Sequence, residues 1–231
     1  MVIHFCDTNI LLGLAFDSDR EHKRCFNLFN DLKYTPNYSK RSLDEITKKV
    51  QRTRNLFPQI KNYIRDPALI KPTLNQWELK LIESFIDNTN IKDIFRTKKY
   101  SNEEIFQIVR DWEEDINIGL RFIQMRTKDP FEKYENVEPI KIEPINTDEL
   151  LSIVTNIIST PTESRITDCN LVLDAIINSK IRTIKELFII SKDSHLCNNK
   201  VQLENGILQY TKSLNIQFDL LNIDHIKNIV S

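Results

Sequence analysis

The first sixteen residues, MVIHFCDTNILLGLAF, constrain the fold more than any other stretch of the chain. Val2 to Phe5 are largely apolar and β-rich, with no Pro or Gly, which predicts a short buried strand. The run ends in Cys6-Asp7-Thr8-Asn9 and turns apolar again at Ile10-Leu11-Leu12. An acid directly after a buried strand lies at its carboxyl end, the edge where open α/β sheets bind ligands. Asp7 is therefore the first candidate for chemistry, with Asn9 beside it. The competing account is a turn or helix cap, where both residue types are common.

Strand-like and helix-like segments alternate around this start. Asp19 to Leu32 carries Cys25, Phe26, Leu28, Phe29 and Leu32 at helical spacing. An extended piece follows at Tyr34–Ser39, and Ser42-Leu43-Asp44-Glu45 opens a helix through Val50. Thr147 or Asp148 caps a helix through Ile158, and Thr160-Pro161-Thr162-Glu163 is a capping box before a helix to about Lys180. Leu187 to Ile190 is a second buried strand ending in Ser191-Lys192-Asp193. A further helix closes at Tyr210–Leu214, a late strand covers Ile216–Ile223, and the tail from Asp224 to Val230 reads as a short helix. Such alternation implies parallel crossovers and a doubly wound α/β sheet.

Residues 55 to 146 have a different texture: helical, polar-rich and punctuated by proline. Thr73-Leu74-Asn75-Gln76 and Ser101-Asn102-Glu103-Glu104 read as capping boxes for helices to about Asp87 and Thr127. The expected division is a discontinuous domain, 1–54 with 147–231, interrupted by a helical insertion at 55–146. Trp77 and Trp112 fall in the insertion and read as its core.

Composition removes several function classes. Three glycines in 231 residues leave no glycine-rich phosphate cradle, neither a P-loop nor GxGxxG. The four cysteines, Cys6, Cys25, Cys169 and Cys197, form no CxxC pair, so free thiols in a reducing cytoplasm are expected rather than zinc or disulfide chemistry. No stretch approaches the roughly eighteen apolar residues of a membrane span, and no targeting signal is read at the start. A net charge of −1 neither favours nor excludes a nucleic-acid partner.

The acids carry the chemistry. Asp7 and Asp193 both follow strands and share one edge of a parallel sheet. Converging carboxylates repel one another unless a cation neutralises them, and oxygen-only ligands suit Mg²⁺ or Mn²⁺. Asp168 shares the i, i+3, i+4, i+7, i+8 series with Leu171, Val172, Ala175 and Ile176. An acid on a buried stripe is costly unless it is paired, capped or metal-bound. Asp174 lies off the centre of that stripe and is the weaker choice. Glu45 fits a capping box with Ser42 and points away from Leu43, Ile46 and Val50, so position alone makes it structural. Lys48, Lys49, Arg52 and Arg54 form one basic run and Arg96, Lys98 and Lys99 another. A solvated surface explains both, and phosphate contact is the sharper alternative. His195 reads as a surface histidine. A phosphatase of the haloacid dehalogenase kind requires Asp-x-Asp, and Asn9 stands at its second Asp. Ser/His/Asp catalysis has no nucleophile-elbow context.

The order FCDTNILL, SLDEI, TDCNLVLDAI, FIISKDSHL resembles the PIN-domain nucleases. That family opens with a strand ending in Asp-x-Asn and a leucine-rich helix start. Its second acid is a helical Glu followed by an apolar residue, its third an Asp beginning a buried helix, and its fourth lies in Thr/Ser-x-Asp after a strand. The resemblance covers roughly residues 1–50 and 147–223, and the middle block departs from compact toxin-type members towards larger PIN-like proteins. It implies a three-layer α/β/α fold with a central parallel sheet, and metal-dependent hydrolysis of phosphodiester bonds, usually in RNA. Asp7, Glu45, Asp168 and Asp193 would be the catalytic and metal-holding acids, with Asn9 and Ser191 as supporting polar groups and Lys48, Lys49 and Arg52 as weaker nucleic-acid contacts. The rivals are a non-catalytic module that binds RNA or protein and a DNA-directed structure-specific nuclease. A homo-oligomer or an antitoxin-like protein partner stays open.

Overall fold

The computed structural model describes residues 2–17, 19–30, 36–66, 68–85, 101–128, 148–158 and 163–226. The chain divides into two compact units, Met1–Ile46 with Lys133–Ser231, and Thr47–Glu132. These boundaries differ from the 54/55 and 146/147 divisions read from sequence.

The first unit is a mixed α/β structure around a parallel sheet. Its strands are β1 (Val2–Cys6), β2 (Pro36–Asn37), β3 (Glu186–Ser191) and β4 (Gln217–Asn222), ordered β2-β1-β3-β4. Every pairing is parallel, with Cys6 opposite Ile190 and Ser191 opposite Asn222. The chain passes from β1 to β2 on one side, then crosses to β3 on the other. The direction of winding therefore reverses between β1 and β3, and in such sheets the carboxyl-end crevice at the reversal is the ligand site.

Helices α1 (Thr8–Ala15) and α2 (His22–Asn30) follow β1, and α3 (Lys40–Arg65) follows β2. Between β3 and its predecessor come α6 (Asp148–Ile158) and α7 (Glu163–Ile181), and between β3 and β4 the short α8 (Ser194–Asn198), α9 (Lys200–Gly206) and α10 (Leu208–Ser213). Ile3, Phe5, Leu187, Ile189 and Leu220 join Val154, Val172, Ile176, Leu196 and Leu203 in one core. Cys6 and Ile190, on the alternate positions, are also fully buried. β1 and β3 are thus covered on both faces, as a parallel sheet requires. Gly13 sets the α1–α2 distance: a Cβ there would stand 2.6 Å from Cys25 Sγ. All four cysteines are free.

The second unit holds the remainder of α3, α4 (Gln76–Phe85) and α5 (Asn102–Lys128). Its buried residues include Phe57, Ile60, Leu81, Ile82, Ile108, Ile123 and Trp112, whereas Trp77 is only half-buried. The α3 helix continues through Pro58, where the sequence texture changes. The Ser101–Glu104 box forms as expected: Glu104 N donates to Ser101 Oγ (3.2 Å) and Ser101 N to Glu104 Oε2 (2.8 Å). The α4 box is two residues later than expected. Glu78 N donates to Asn75 Oδ1 (2.8 Å) and Asn75 N to Glu78 Oε2 (3.0 Å), because Asn75 offers a cap with a reciprocating Glu three residues on. Lys61 and Arg65 on α3 pair with Glu113 on α5.

Beyond β4 the expected tail helix is a single 3-10 turn, Ile223–His225; residues 227–231 and the Thr160–Thr162 part of the expected cap lie outside the described residues. Among the described residues no helix is long and apolar enough to cross a membrane.

Candidate active site

Asp7 stands where the winding reverses. Its N–H donates to Ile190 O (3.0 Å), extending the β1–β3 ladder by one residue. Its extended backbone then lets the side chain cap α1, with Oδ1 accepting from Thr8 N at 2.6 Å. The structural role anticipated for an Asp here is therefore present, but it uses only one oxygen. Oδ2 accepts from Ser191 Oγ (2.6 Å) and from Asn9 Nδ2 (2.8 Å). The residue is 5% exposed, and burial raises its carboxyl pKa to about 6. The hydrogen bonds from Ser191 and Thr8 oppose that rise, whereas the negative charges of Asp193 and Glu45 add to it.

Ser191 joins the two strand-end acids. It is fully buried at the end of β3, and its Oγ accepts from Asp193 N (2.8 Å) while donating to Asp7. Asp193 is half-buried and caps α8, its Oδ1 accepting from His195 N at 2.7 Å. His195 itself is exposed. Lys192, between Ser191 and Asp193, binds Glu21 on the segment before α2 and stands 3.7 Å from Asp224. Arg24 on α2 closes this group by pairing with both Glu21 and Asp224. Cys197 donates weakly to Ser191 O (3.8 Å). Burial, and then the charges of Asp193 and Asp7, push its thiol up to about 11, so it is protonated at neutral pH.

Glu45 reaches the same edge by a route the sequence did not indicate. The expected Ser42 cap is absent because α3 begins earlier, at Lys40, with Ser39 Oγ accepting from Ser42 N (3.1 Å). Glu45 thereby loses its capping role. Its Oε2 accepts instead from Thr8 Oγ1 at 2.8 Å, next to Asp7. Thr8, which the sequence marked only as a spacer, is 3% exposed.

The two acids on α7 are placed differently. Asp168 is 8% exposed, and its charge is felt at the neighbouring Cys169. Asp174, off the centre of the apolar stripe, is 0% exposed. Residues 171–179 are buried all the way round, so the helix has no exposed side for it to occupy. Six residues apart, the acids diverge by roughly 120° around the helix. Neither Asp174 oxygen has a hydrogen-bond partner among the described residues, and Arg41 Nε stands 3.9 Å from Oδ2. Burial raises its pKa to about 6, with Arg41 and Ser39 pulling against the rise. Arg41 precedes Glu45 by four residues on α3, so the two share a helix face one turn apart. The structure thus groups Asp7, Glu45, Asp193 and Ser191 at one edge and puts Asp174, through Arg41, one turn of α3 from Glu45.

The suggested basic contacts lie in the second unit. Arg52 is committed to Glu78, binding it through Nε and through Nη2 (3.3 Å). Lys48 is exposed and Lys49 half-buried. Arg96, Lys98 and Lys99 lie outside the described residues. The cation missed in the sequence is Arg41, whose only available signal was its spacing from Glu45.

The oxygen donors at this edge are of the kind a hard dication takes, and one held there would favour the ionised Asp7 that burial, and then the charges of Asp193 and Glu45, disfavour. Among the described residues no three His, Cys, Asp or Glu side chains are gathered closely enough to chelate an ion. A Mg²⁺ that keeps several waters needs only one or two carboxylates, so the donor set fits. Comparison of the chain with known protein families, characterised proteins and solved structures finds no match.

Proposed function

We propose that the protein is a metal-dependent endoribonuclease whose first unit is a three-layer PIN-like domain. The observation that carries this reading is the state of Asp7: buried at the topological reversal, hydrogen-bonded into place, and surrounded by the negative charges of Asp193 and Glu45. An acid held against its own electrostatics in this way is characteristic of a functional site.

Asp7 and Asp193 would hold Mg²⁺ or Mn²⁺, with Glu45 on a second ion or on water and Asp168 or Asp174 as the third acid. The ion would supply positive charge against the scissile phosphate and acidify the attacking water. The chain's own groups set the geometry. Ser191 and Asn9 fix Oδ2 of Asp7, and the Thr8 N–H fixes Oδ1. The Thr8 hydroxyl turns Glu45 towards Asp7, where its carboxylate can orient water and accept a proton from it.

The test is cleavage of single-stranded and structured RNA and DNA by purified protein in Mg²⁺, Mn²⁺ or EDTA, beside an Asp7→Asn variant. RNA cleavage that needs metal and disappears in the variant is expected. Equal cleavage by the variant would remove the site, and cleavage of DNA alone would redirect the substrate. The lack of a three-ligand group among the described residues favours one second reading, a non-catalytic RNA-binding module. Binding of RNA without cleavage in any metal would establish it.

A further inference from the structure

We propose that Arg41 contacts the phosphate backbone of the bound RNA from its place one turn of α3 before Glu45, where its ion pair with Asp174 has no hydrogen bond. The proposal rests on the RNA-directed reading of this edge and adds the group that receives the polyanion.

Three observations converge on Arg41. It shares a face of α3 with Glu45, which touches Thr8 beside Asp7. It is one-third exposed, so the side chain reaches solvent. Its commitment is loose: Nε lies 3.9 Å from a fully buried Asp174 whose oxygens lack hydrogen-bond partners among the described residues. Lys192 and Arg24 contrast with it, since both are hydrogen-bonded to carboxylates, Lys192 to Glu21 and Arg24 to Glu21 and Asp224.

The chemistry demands such a group. A phosphodiester entering among Asp7, Glu45 and Asp193 meets repulsion from each of them. A guanidinium answers with a planar fork that matches two phosphate oxygens at once. An Arg already hydrogen-bonded to a carboxylate would have to break those bonds first, and Arg41 has none to Asp174 to break.

Removing Arg41 alone would also strip Asp174 of its nearby cation, so the test uses an Asp174→Asn background. Binding of a fluorescein-labelled single-stranded RNA is followed by anisotropy across a salt series, in EDTA and in Ca²⁺. Adding Arg41→Gln to Asp174→Asn should weaken binding about tenfold and reduce the salt slope by about 0.7, the contribution of one single-strand phosphate contact. The melting temperature should change little between the single and double variants. Arg41→Lys should keep the slope and lose part of the affinity, because the fork is gone and the charge remains. Equal affinity and slope in the single and double variants would overturn the proposal and leave Arg41 as a structural counter-ion. Wild-type protein that binds the RNA without cleaving it would remove the nuclease reading, while the Arg41 effect would still stand. Failure of the wild type to bind RNA in either condition would overturn both.

Discussion

Glu78 in the helical unit and Asp7 and Asp174 in the α/β unit are all buried acids, yet Glu78 is tightly paired, Asp7 has like-charged neighbours and Asp174 has only a distant cation. Glu78 is bound by Arg52 through two nitrogens and closes its own helix cap. Asp7 accepts bonds from a hydroxyl, an amide and a peptide N–H, while Asp193 and Glu45 push against it. Asp174 has a cation at 3.9 Å and no hydrogen bond among the described residues. A buried acid that serves the fold is neutralised from within. One left in a like-charged or loosely paired setting costs stability when ionised, and acids so placed cluster at functional sites.

The largest effect expected from this difference is on activity. Asp7→Asn should reduce metal-dependent RNA cleavage by more than the roughly 100-fold that loss of an outer-shell partner costs a metal site. The same variant should be more resistant to urea than the metal-free wild type at pH 7. A variant that is both active and less stable would erase the contrast with Glu78. Next in size, Arg52→Met should destabilise the protein by about 1–3 kcal/mol in urea titrations, because Glu78 would be left buried with only the Asn75 N–H on its carboxylate. A loss under about 1 kcal/mol would mean that Glu78 is not neutralised by that arginine.

The pH dependence sharpens the contrast further. Asp7 and Asp174 have folded-state pKa values raised from 3.8 to about 6. Between these limits the folded protein holds protons that the unfolded chain releases, so each acid's contribution falls as pH rises from about 4 to about 6. The loss should approach about 3 kcal/mol per acid without metal. It is read as the difference in urea stability between wild type and Asp7→Asn or Asp174→Asn across that range. A pH-independent difference would show that the acids are already neutralised. The smallest effect is Asn75→Ala, which removes the α4 cap beside Glu78 and should cost about 1 kcal/mol.

The strand ends were the legible part of this site. β1 and β3 announce themselves as short apolar runs, and their termination in Asp7 and Ser191-Lys192-Asp193 follows from the sequence alone. Glu45 was less so: helical phase puts it off the Leu43, Ile46 and Val50 stripe. Its partner Thr8 is 37 residues away, a contact no local pattern carries. Asp174 was obscured because a helix buried on all sides offers no amphipathic phase from which to judge direction. The start of α3 moved from Ser42 to Ser39 because two serines three apart can each serve as a cap, and the extended segment before the helix decides between them. Its far end was hidden by Pro58, through which the helix continues.

The missing side chain at Gly13 bears on this site from a distance. α1 and α2 approach so closely there that one methyl group would overlap Cys25 Sγ. α2 carries Arg24 and follows directly from Glu21, and those two residues hold Lys192 and Asp224. Lys192 is the covalent neighbour of both Ser191 and Asp193. A spacer inserted at Gly13 would therefore act as a wedge against Cys25 and Glu21, displacing the clamp on Lys192 without altering Asp7, Glu45 or Asp193.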